Sequence, residues 1–186
     1  MRKLIFWVHT SIDGHIDGPG GAFDWPVMGE ELSAYSESLC ERSDTFLYGR
    51  GVWEIMVAYW PNAESLSDHP HDMKFAPVWR STTKIVASTT IEHDDWAAEV
   101  IGTNLADRVT ELKRRPGADL LLMGGAGLAG ELTRLGLIDE YHIAVHPVVL
   151  GGGRPLFPRG ADRLGLRFAG SRVCDAGVVV TRYDRA

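Results

Sequence analysis

Short apolar runs, three of which stop abruptly at glycine or serine, constrain the fold more than any other feature of this sequence. They occupy residues 4–8, 45–48, 84–87 and 120–123. Segments with apolar residues at helical spacing alternate with these runs. This alternation is typical of a mostly parallel sheet that is covered by helices on both faces. We therefore predict an α/β fold with three layers.

The remaining segments complete this prediction. Apolar residues at helical spacing predict helices at 28–39, 52–59, 105–112 and 128–135. The segment 61–77 is polar and contains three prolines, so we expect a loop with at most one short helix. Further strands are expected at 99–101 and 141–150, with an antiparallel C-terminal hairpin at 166–183. Because no repeat or linker interrupts the pattern, we predict a single domain spanning 1–186.

Charge and composition limit the expected partners. The net charge is -6 and no run of lysine or arginine occurs, so we expect neither nucleic acid nor an anionic membrane as a partner. The first apolar run is too short for a signal-peptide core or a membrane span, which predicts a cytoplasmic protein. Cys40 and Cys174 lie far apart, and the histidines and aspartates near 69–72 and 93–95 lack metal-ligand spacing. We expect no disulfide and no bound metal.

Three strand ends carry residues that suit phosphate groups. The carboxyl ends of parallel strands meet at one edge of a sheet, where helix N-termini favour anions. Glycines at 124–127 let backbone N–H groups approach a ligand closely, Arg50 follows Gly49 at a strand-to-helix junction, and Ser88-Thr89 supplies hydroxyl groups. Each feature alone is as readily a tight turn, a surface arginine or a helix cap. Their repetition at successive strand ends favours a phosphate-bearing cofactor.

The loop around Asp13, His15 and Asp17 is a candidate flap over a substrate, with the nearby Trp25 as an aromatic wall. An ordinary turn is the alternative interpretation of this loop. Glu30 and Glu31 begin a predicted helix, where acids stabilise the helix macrodipole. Capping therefore competes with a role for one of them as a proton donor or substrate anchor.

Taken in order, these segments resemble the dihydrofolate-reductase-like superfamily, in particular the reductase domain of bacterial riboflavin biosynthesis and its stand-alone relatives. The resemblance spans nearly the whole chain. It rests on SIDGHI (11–16), DTFLYGRGVWE (44–54), KIVASTT (84–90), LMGGAGL (122–128), GLIDE (136–140) and PVVLGGGRPLF (147–157). It implies a three-layer α/β fold whose mostly parallel sheet ends in an antiparallel C-terminal hairpin.

The resemblance also implies an NADPH site and a substrate site. The residues that it places against the cofactor are Ile16, Gly49, Arg50, Gly51, Val52, Ser88, Thr89, Gly124, Gly125, Ala126, Gly127 and Leu128. Val52 stands where folate reductases carry threonine, which leaves the backbone amides of this turn to act. Trp25, Tyr35 and Met56 would face the substrate. Glu31, which aligns with the acid of folate reductases only after a small length adjustment, and Asp13 are the catalytic candidates.

The activity that the resemblance implies is hydride transfer from NADPH to a small heterocyclic substrate. The specific expectation is 5-amino-6-(5-phosphoribosylamino)uracil reductase activity, as in riboflavin biosynthesis. Its phosphate needs a basic pocket, for which Arg154, Arg159 and Arg163 are candidates. A dihydrofolate or pteridine reductase and a non-catalytic NADPH- or ligand-binding sensor are the alternatives. The apolar C-terminal hairpin and the strand before it predict a homodimer, because exposed edges of this kind are usually covered.

Overall fold

The apolar runs form central strands of an eight-stranded sheet in the computed structural model, which describes residues 1–157 and 163–186. The strands are β1 (Leu4–Ser11), β2 (Ser43–Gly49), β3 (Thr83–Ala87), β4 (Glu99–Ile101), β5 (Asp119–Met123), β6 (Glu140–His146), β7 (Leu166–Val173) and β8 (Val179–Arg185). The helices are α1 (Glu30–Glu41), α2 (Arg50–Tyr59), α3 (Ala63–Leu66), α4 (Pro70–Ser81), α5 (Leu105–Arg114) and α6 (Ala126–Arg134). Short 3₁₀ turns lie at Pro19–Gly21, Trp60–Asn62 and Asp175–Gly177.

The strand order is β4-β3-β2-β5-β1-β6-β8-β7. The strands from β4 to β6 in this order run parallel, while β8 pairs antiparallel with both β6 and β7. The predicted mostly parallel sheet with an antiparallel C-terminal hairpin is therefore confirmed. All six parallel strands present their carboxyl ends at one edge, which is where the cofactor candidates were predicted.

Helices cover both faces of the sheet, as alternating side chains on buried strands require. On one face, Ile5 and Trp7 of β1 belong to a core with Leu32 of α1 and Trp79 of α4. On the other face, Phe6 of β1 belongs to a core to which α5 and α6 contribute. The three predicted layers are therefore present.

The prediction of a loop over 61–77 was wrong, because this segment holds α3 and most of α4. Pro70 occupies the first turn of α4, where a missing N–H costs nothing, but Pro77 lies inside the helix. An interior proline costs about 3 kcal/mol. Phe75 and Trp79 of α4 are buried at 4% and 0% exposure, and such burial contributes on the order of 1.5–3 kcal/mol per side chain. Tertiary packing therefore outweighs the local proline signal.

The ends of the sheet differ from the prediction in one further respect. The strand expected at 141–150 stops at His146, since Pro147 has no N–H to continue the ladder. At the outer edge, β7 leaves Phe168 and Val173 exposed at 59% and 71%. A homodimer through this edge stays a prediction. In the described parts of the chain, every helix is too short or too polar to cross a membrane.

Candidate active site

A cleft opens where the central strand β1 extends past its neighbour β5. β1 pairs with β5 only as far as Trp7, whereas its pairing with β6 continues to Ser11. The Gly124 amide donates a last hydrogen bond to the carbonyl oxygen of Trp7 at 2.9 Å. Beyond this point strands β1 and β5 separate. Ligands of open α/β sheets bind in crevices at such strand ends.

The cleft holds a cavity of about 320 Å³, which suits a small organic ligand. Its lining is predominantly apolar, and three kinds of segment contribute to it. The strand ends supply Trp7, Val8, His9, Met123, Gly124 and Gly125; the helices supply Ser36, Gly51, Val52, Ile55, Met56, His71, Asp72 and Phe75. The loops supply Ile16, Asp17, Gly21, Phe23, Pro26, Met28, Trp60 and Arg154.

The structure brings the two predicted glycine turns together at this cavity. A Cβ atom on Gly125 would lie 3.2 Å from Cγ2 of Val52, and one on Gly49 would lie 3.2 Å from Cβ of Leu128. Gly124 and Gly125 have φ angles of +67° and +82°, which residues with a Cβ rarely adopt. Glycine is thus required at this strand end. The N-termini of α2 and α6 therefore lie next to each other.

The other predicted residues of these turns flank the cavity without lining it. Ala126, Gly127 and Leu128 form the first turn of α6. Arg50 begins α2, and its side chain is 56% exposed and pairs with Glu54 at 3.2 Å. This guanidinium can therefore turn to an incoming anion without leaving a buried position.

Ser88 and Thr89 lie farther along the same edge and do not line the cavity. The Ser88 hydroxyl accepts hydrogen bonds from the amides of Thr90 and Ile91 at 3.1 and 3.0 Å. It therefore caps the turn after β3. Thr89 is exposed and available to a ligand that extends past β2.

Neither predicted catalytic acid lines the cavity. Glu31 is exposed on the first turn of α1, whose amides donate to Asp175 in the β7–β8 turn. The Asp13 carboxylate accepts hydrogen bonds from the amides of Leu150 and Gly151 at 3.1 and 2.8 Å. A hydrogen bond with the Ser11 side chain, together with the hydrogen bonds from those two amides, lowers the pKa of Asp13. Asp13 is therefore ionised at neutral pH and holds two loops together.

A second aspartate in this loop reaches the cavity. Asp17 is 5% exposed and accepts hydrogen bonds from the main-chain amide and the Nε of Arg154, both at 2.6 Å. The Arg154 side chain is 65% exposed at the cavity mouth. Of the other arginines predicted to bind a substrate phosphate, Arg163 is exposed, and Arg159 lies outside the described residues. Arg154 is thus the one placed at the cavity.

The predicted substrate residues divide in the same way. Met56 lines the cavity. Tyr35 lies behind Trp7, with ring centroids 5.6 Å apart, and its hydroxyl is 2.7 Å from Nδ1 of His142. Trp25 packs edge-on against His146 at 5.3 Å. Tyr35 and Trp25 therefore support the wall of the cavity from outside.

Several cavity residues were missed by the sequence analysis, above all His71 and Phe75 of α4. Their rings stack at 5.7 Å, and the Ser33 hydroxyl lies 2.9 Å from Nδ1 of His71. Burial lowers the pKa of His71. The spacing of His71, Phe75 and Trp79 at i, i+4 and i+8 was the available signal, and the prolines obscured it. Trp7, His9, Ser36 and Trp60 were also missed.

The sheet order and the cavity beside β1 and β5 define the class as a dihydrofolate reductase-like α/β domain. Within this class the chain belongs to the RibD C-terminal domain family, a family of riboflavin-biosynthesis-type reductases, whose sequence model matches residues 2–180. The uncharacterized protein YyaP of Bacillus subtilis (strain 168) is 35% identical over 183 residues, which cover 98% of this chain and 95% of YyaP.

Solved structures agree with this assignment. A putative riboflavin biosynthesis protein from Shewanella sp. PV-4 aligns with a TM-score of 0.77 and 25% identity, over 100% of this chain and 99% of that one. Dihydrofolate reductase from Enterococcus faecalis, solved with NADP(H), aligns with a TM-score of 0.64 over 98% of this chain and 96% of that one. Its 14% identity shows a shared fold alone.

Proposed function

We propose that this protein is an NADPH-dependent reductase that acts on a small heterocyclic substrate in the cavity beside β1 and β5. One observation carries the proposal: the bare glycine turn at Gly124-Gly125 opens directly into a largely apolar cavity of about 320 Å³. A turn of this kind suits a dinucleotide backbone, and the adjoining cavity suits a planar ring. Membership of a reductase family supports the proposal.

The described residues fit a nicotinamide dinucleotide in shape and charge. Gly124 and Gly125 leave the main chain without side chains on the cavity wall, and a Cβ on Gly125 would crowd Val52. The N-termini of α2 and α6 favour phosphate groups there. Arg50 would hold the additional phosphate that distinguishes NADPH from NADH, with Ser88 and Thr89 beyond it.

When bound, NADPH supplies the hydride for a carbon of a C=N or C=O bond, and NADP⁺ is released. The residues of the chain orient the ring and exclude water, for which Trp7, Trp60 and Phe75 provide flat apolar surfaces. The nitrogen or oxygen of the reduced bond also needs a proton. The cavity carboxylates Asp17 and Asp72 are held by Arg154 and by the Tyr59 hydroxyl. We therefore propose that water at the cavity mouth supplies this proton.

Cofactor binding tests the proposal directly. We expect saturable NADPH binding below about 1 mM in a fluorescence titration. Replacing Arg50 with alanine should weaken NADPH binding about tenfold, as for a lost charged hydrogen bond, and leave NADH binding within about twofold. The matched control is Arg134→Ala, since Arg134 is 59% exposed and pairs with Glu131 at the far end of α6. Equal losses of NADPH and NADH would refute the phosphate assignment, and no saturable binding would refute the proposal.

The substrate that we propose is 5-amino-6-(5-phosphoribosylamino)uracil, whose ribosylamino group would be reduced. Arg154, oriented by buried Asp17, supports this choice because it presents a cation at the cavity mouth for the substrate phosphate. NADPH oxidation with the authentic pyrimidine is expected, and Arg154→Ala should raise KM about tenfold. NADPH oxidation with a dihydropterin but not with the pyrimidine would indicate a pteridine reductase. Binding without turnover of either would indicate a sensor.

A further inference from the structure

A hydrogen-bonded pair of histidines, His9 and His146, lies at the wall of the cavity, which His9 lines. His9, near the carboxyl end of β1, lines the cavity beside Trp7, and the two rings pack edge-on at 5.0 Å. Nδ1 of His9 lies 2.9 Å from Nε2 of His146, the last residue of β6. The two imidazoles therefore lie where β1 extends past β5 and pairs with β6 alone.

The main chain determines which nitrogen of each ring carries the proton. The Val27 amide donates to Nδ1 of His146 at 3.4 Å. Since a backbone N–H can only donate, this nitrogen is an acceptor, and the proton of neutral His146 is on Nε2. That proton is donated to Nδ1 of His9, so the proton of neutral His9 is on its own Nε2.

Both rings are neutral at physiological pH. Burial, together with the neighbouring His146 and with His71 of α4, lowers the pKa of His9 to about 3. Burial also lowers the pKa of His146. A positive charge on His9 would be opposed by the neighbouring imidazoles of His146 and His71. At physiological pH the donors from Val27 to His9 therefore keep this order.

We propose that His9 is a specificity-determining residue, whose Nε2–H donates to a hydrogen-bond acceptor on the ring of the ligand. Among the described residues, none accepts a hydrogen bond from this Nε2–H. A ring carbonyl oxygen can accept a hydrogen bond from this Nε2–H. An amino group at the same position would place a second donor against it. His146 and Val27 are positioning residues that act through His9. The identity of the ligand as a planar heterocycle rests on the proposed function.

The tautomers can be measured without any ligand. In ¹⁵N-histidine-labelled protein, two-bond ¹H–¹⁵N correlation spectra distinguish Nδ1–H from Nε2–H and the charged ring. We expect Nε2–H at both His9 and His146 at pH 8, with no titration of His9 between pH 5.5 and 8. In His146→Phe, which keeps an aromatic ring but removes the donor, His9 should show both tautomers. An Nδ1–H tautomer or a titration near pH 6.5 at His9 in the wild type would overturn the proposal.

The specificity is tested with two probes of one shape in the absence of NADPH. 5,6-Diaminouracil carries two ring carbonyls, and 2,4,5,6-tetraaminopyrimidine carries amino groups instead. We expect the wild type to bind the uracil about tenfold more tightly by calorimetry at pH 8. His9→Gln, which keeps an N–H donor, should retain the preference, and His9→Phe should lose it. No preference in the wild type, or an unchanged one in His9→Phe, would refute the role of His9. Because NADPH is absent, failure of cofactor binding is a separate result.

Discussion

NADPH binding is expected to weaken by about 10–100-fold when Gly125 is replaced by alanine. Gly125 has a φ angle of +82°, where a residue with a Cβ carries about 1–3 kcal/mol of strain. The new Cβ would also lie 3.2 Å from Cγ2 of Val52, at the wall of the cavity. Rotation of the peptide relieves both effects but moves the amides at the start of α6 away from the proposed cofactor site. A fluorescence titration of the variant with NADPH measures the loss.

Gly177→Ala is the matched control for backbone strain. Gly177 has a φ angle of +72°, but it lies in the β7–β8 turn, and its Cβ would meet Cγ of Pro147 at 3.6 Å, an ordinary contact. This variant should lose comparable stability in urea and bind NADPH like the wild type. If Gly125→Ala retained wild-type affinity, the cofactor would not lie at the end of β5.

The central sheet could be predicted because strands buried on both faces need continuous apolar residues. The runs at 45–48, 84–87 and 120–123 all lie inside parallel strands. Strand order follows from contacts between residues far apart in sequence, such as Phe6 beside Leu122, and no local pattern contains it. Helix α4 was missed for a related reason: Pro77 is a local signal, and the burial of Trp79 that overrides it is a tertiary one.

The glycine turns of the candidate site were easier to single out from the sequence than the residues of the opposite cavity wall. A left-handed backbone requires glycine, so Gly124 and Gly125 are visible in the sequence as a feature with few alternatives. Acidic residues have many uses, and the sequence cannot choose among them. Glu31 at a helix N-terminus and Asp13 on two loop amides both satisfy backbone or dipole requirements outside the cavity. Proximity in space separates a reacting acid from a structural one.

The cavity wall around His9 is formed by segments that are distant in sequence and in contact only in the folded protein. His9 of β1 contacts His146 of the neighbouring strand β6. His71 belongs to α4, which packs on one face of the sheet. The sequence does show a histidine interrupting the apolar character of the first strand. Its tautomer depends on the amide of Val27, which lies in an irregular loop. The tautomer of His9 can therefore be assigned only when the position of that loop is known.

Replacing Glu140 with alanine is expected to lower the free energy of unfolding by about 3–5 kcal/mol, a large fraction of a typical domain's stability. Glu140 begins β6 and is 1% exposed. Its carboxylate accepts from Lys3 at 2.7 Å, from Arg42 at 3.2 Å, and lies 3.0 Å from Nε2 of buried His142. Without Glu140 the buried His142 ring loses its Nε2 partner, Arg42 keeps only Asp119, and Lys3 is left to water. Urea unfolding at pH 7 measures the change.

Glu131→Ala is the control, and pH provides a second test. Glu131 pairs with Arg134 at 2.6 Å but is 44% exposed, so its loss should cost no more than about 1 kcal/mol. The hydrogen bond with His142, together with the hydrogen bonds from Arg42 and Lys3, holds the pKa of Glu140 well below its ordinary value of 4.5. A lowered folded-state pKa contributes stability above the unfolded-state value, and this stability is lost as pH falls toward the folded-state value. The gap between wild type and Glu140→Ala should therefore narrow below about pH 4. An equal gap at pH 7 and pH 3 would show that the carboxylate acts by packing and not by its charge.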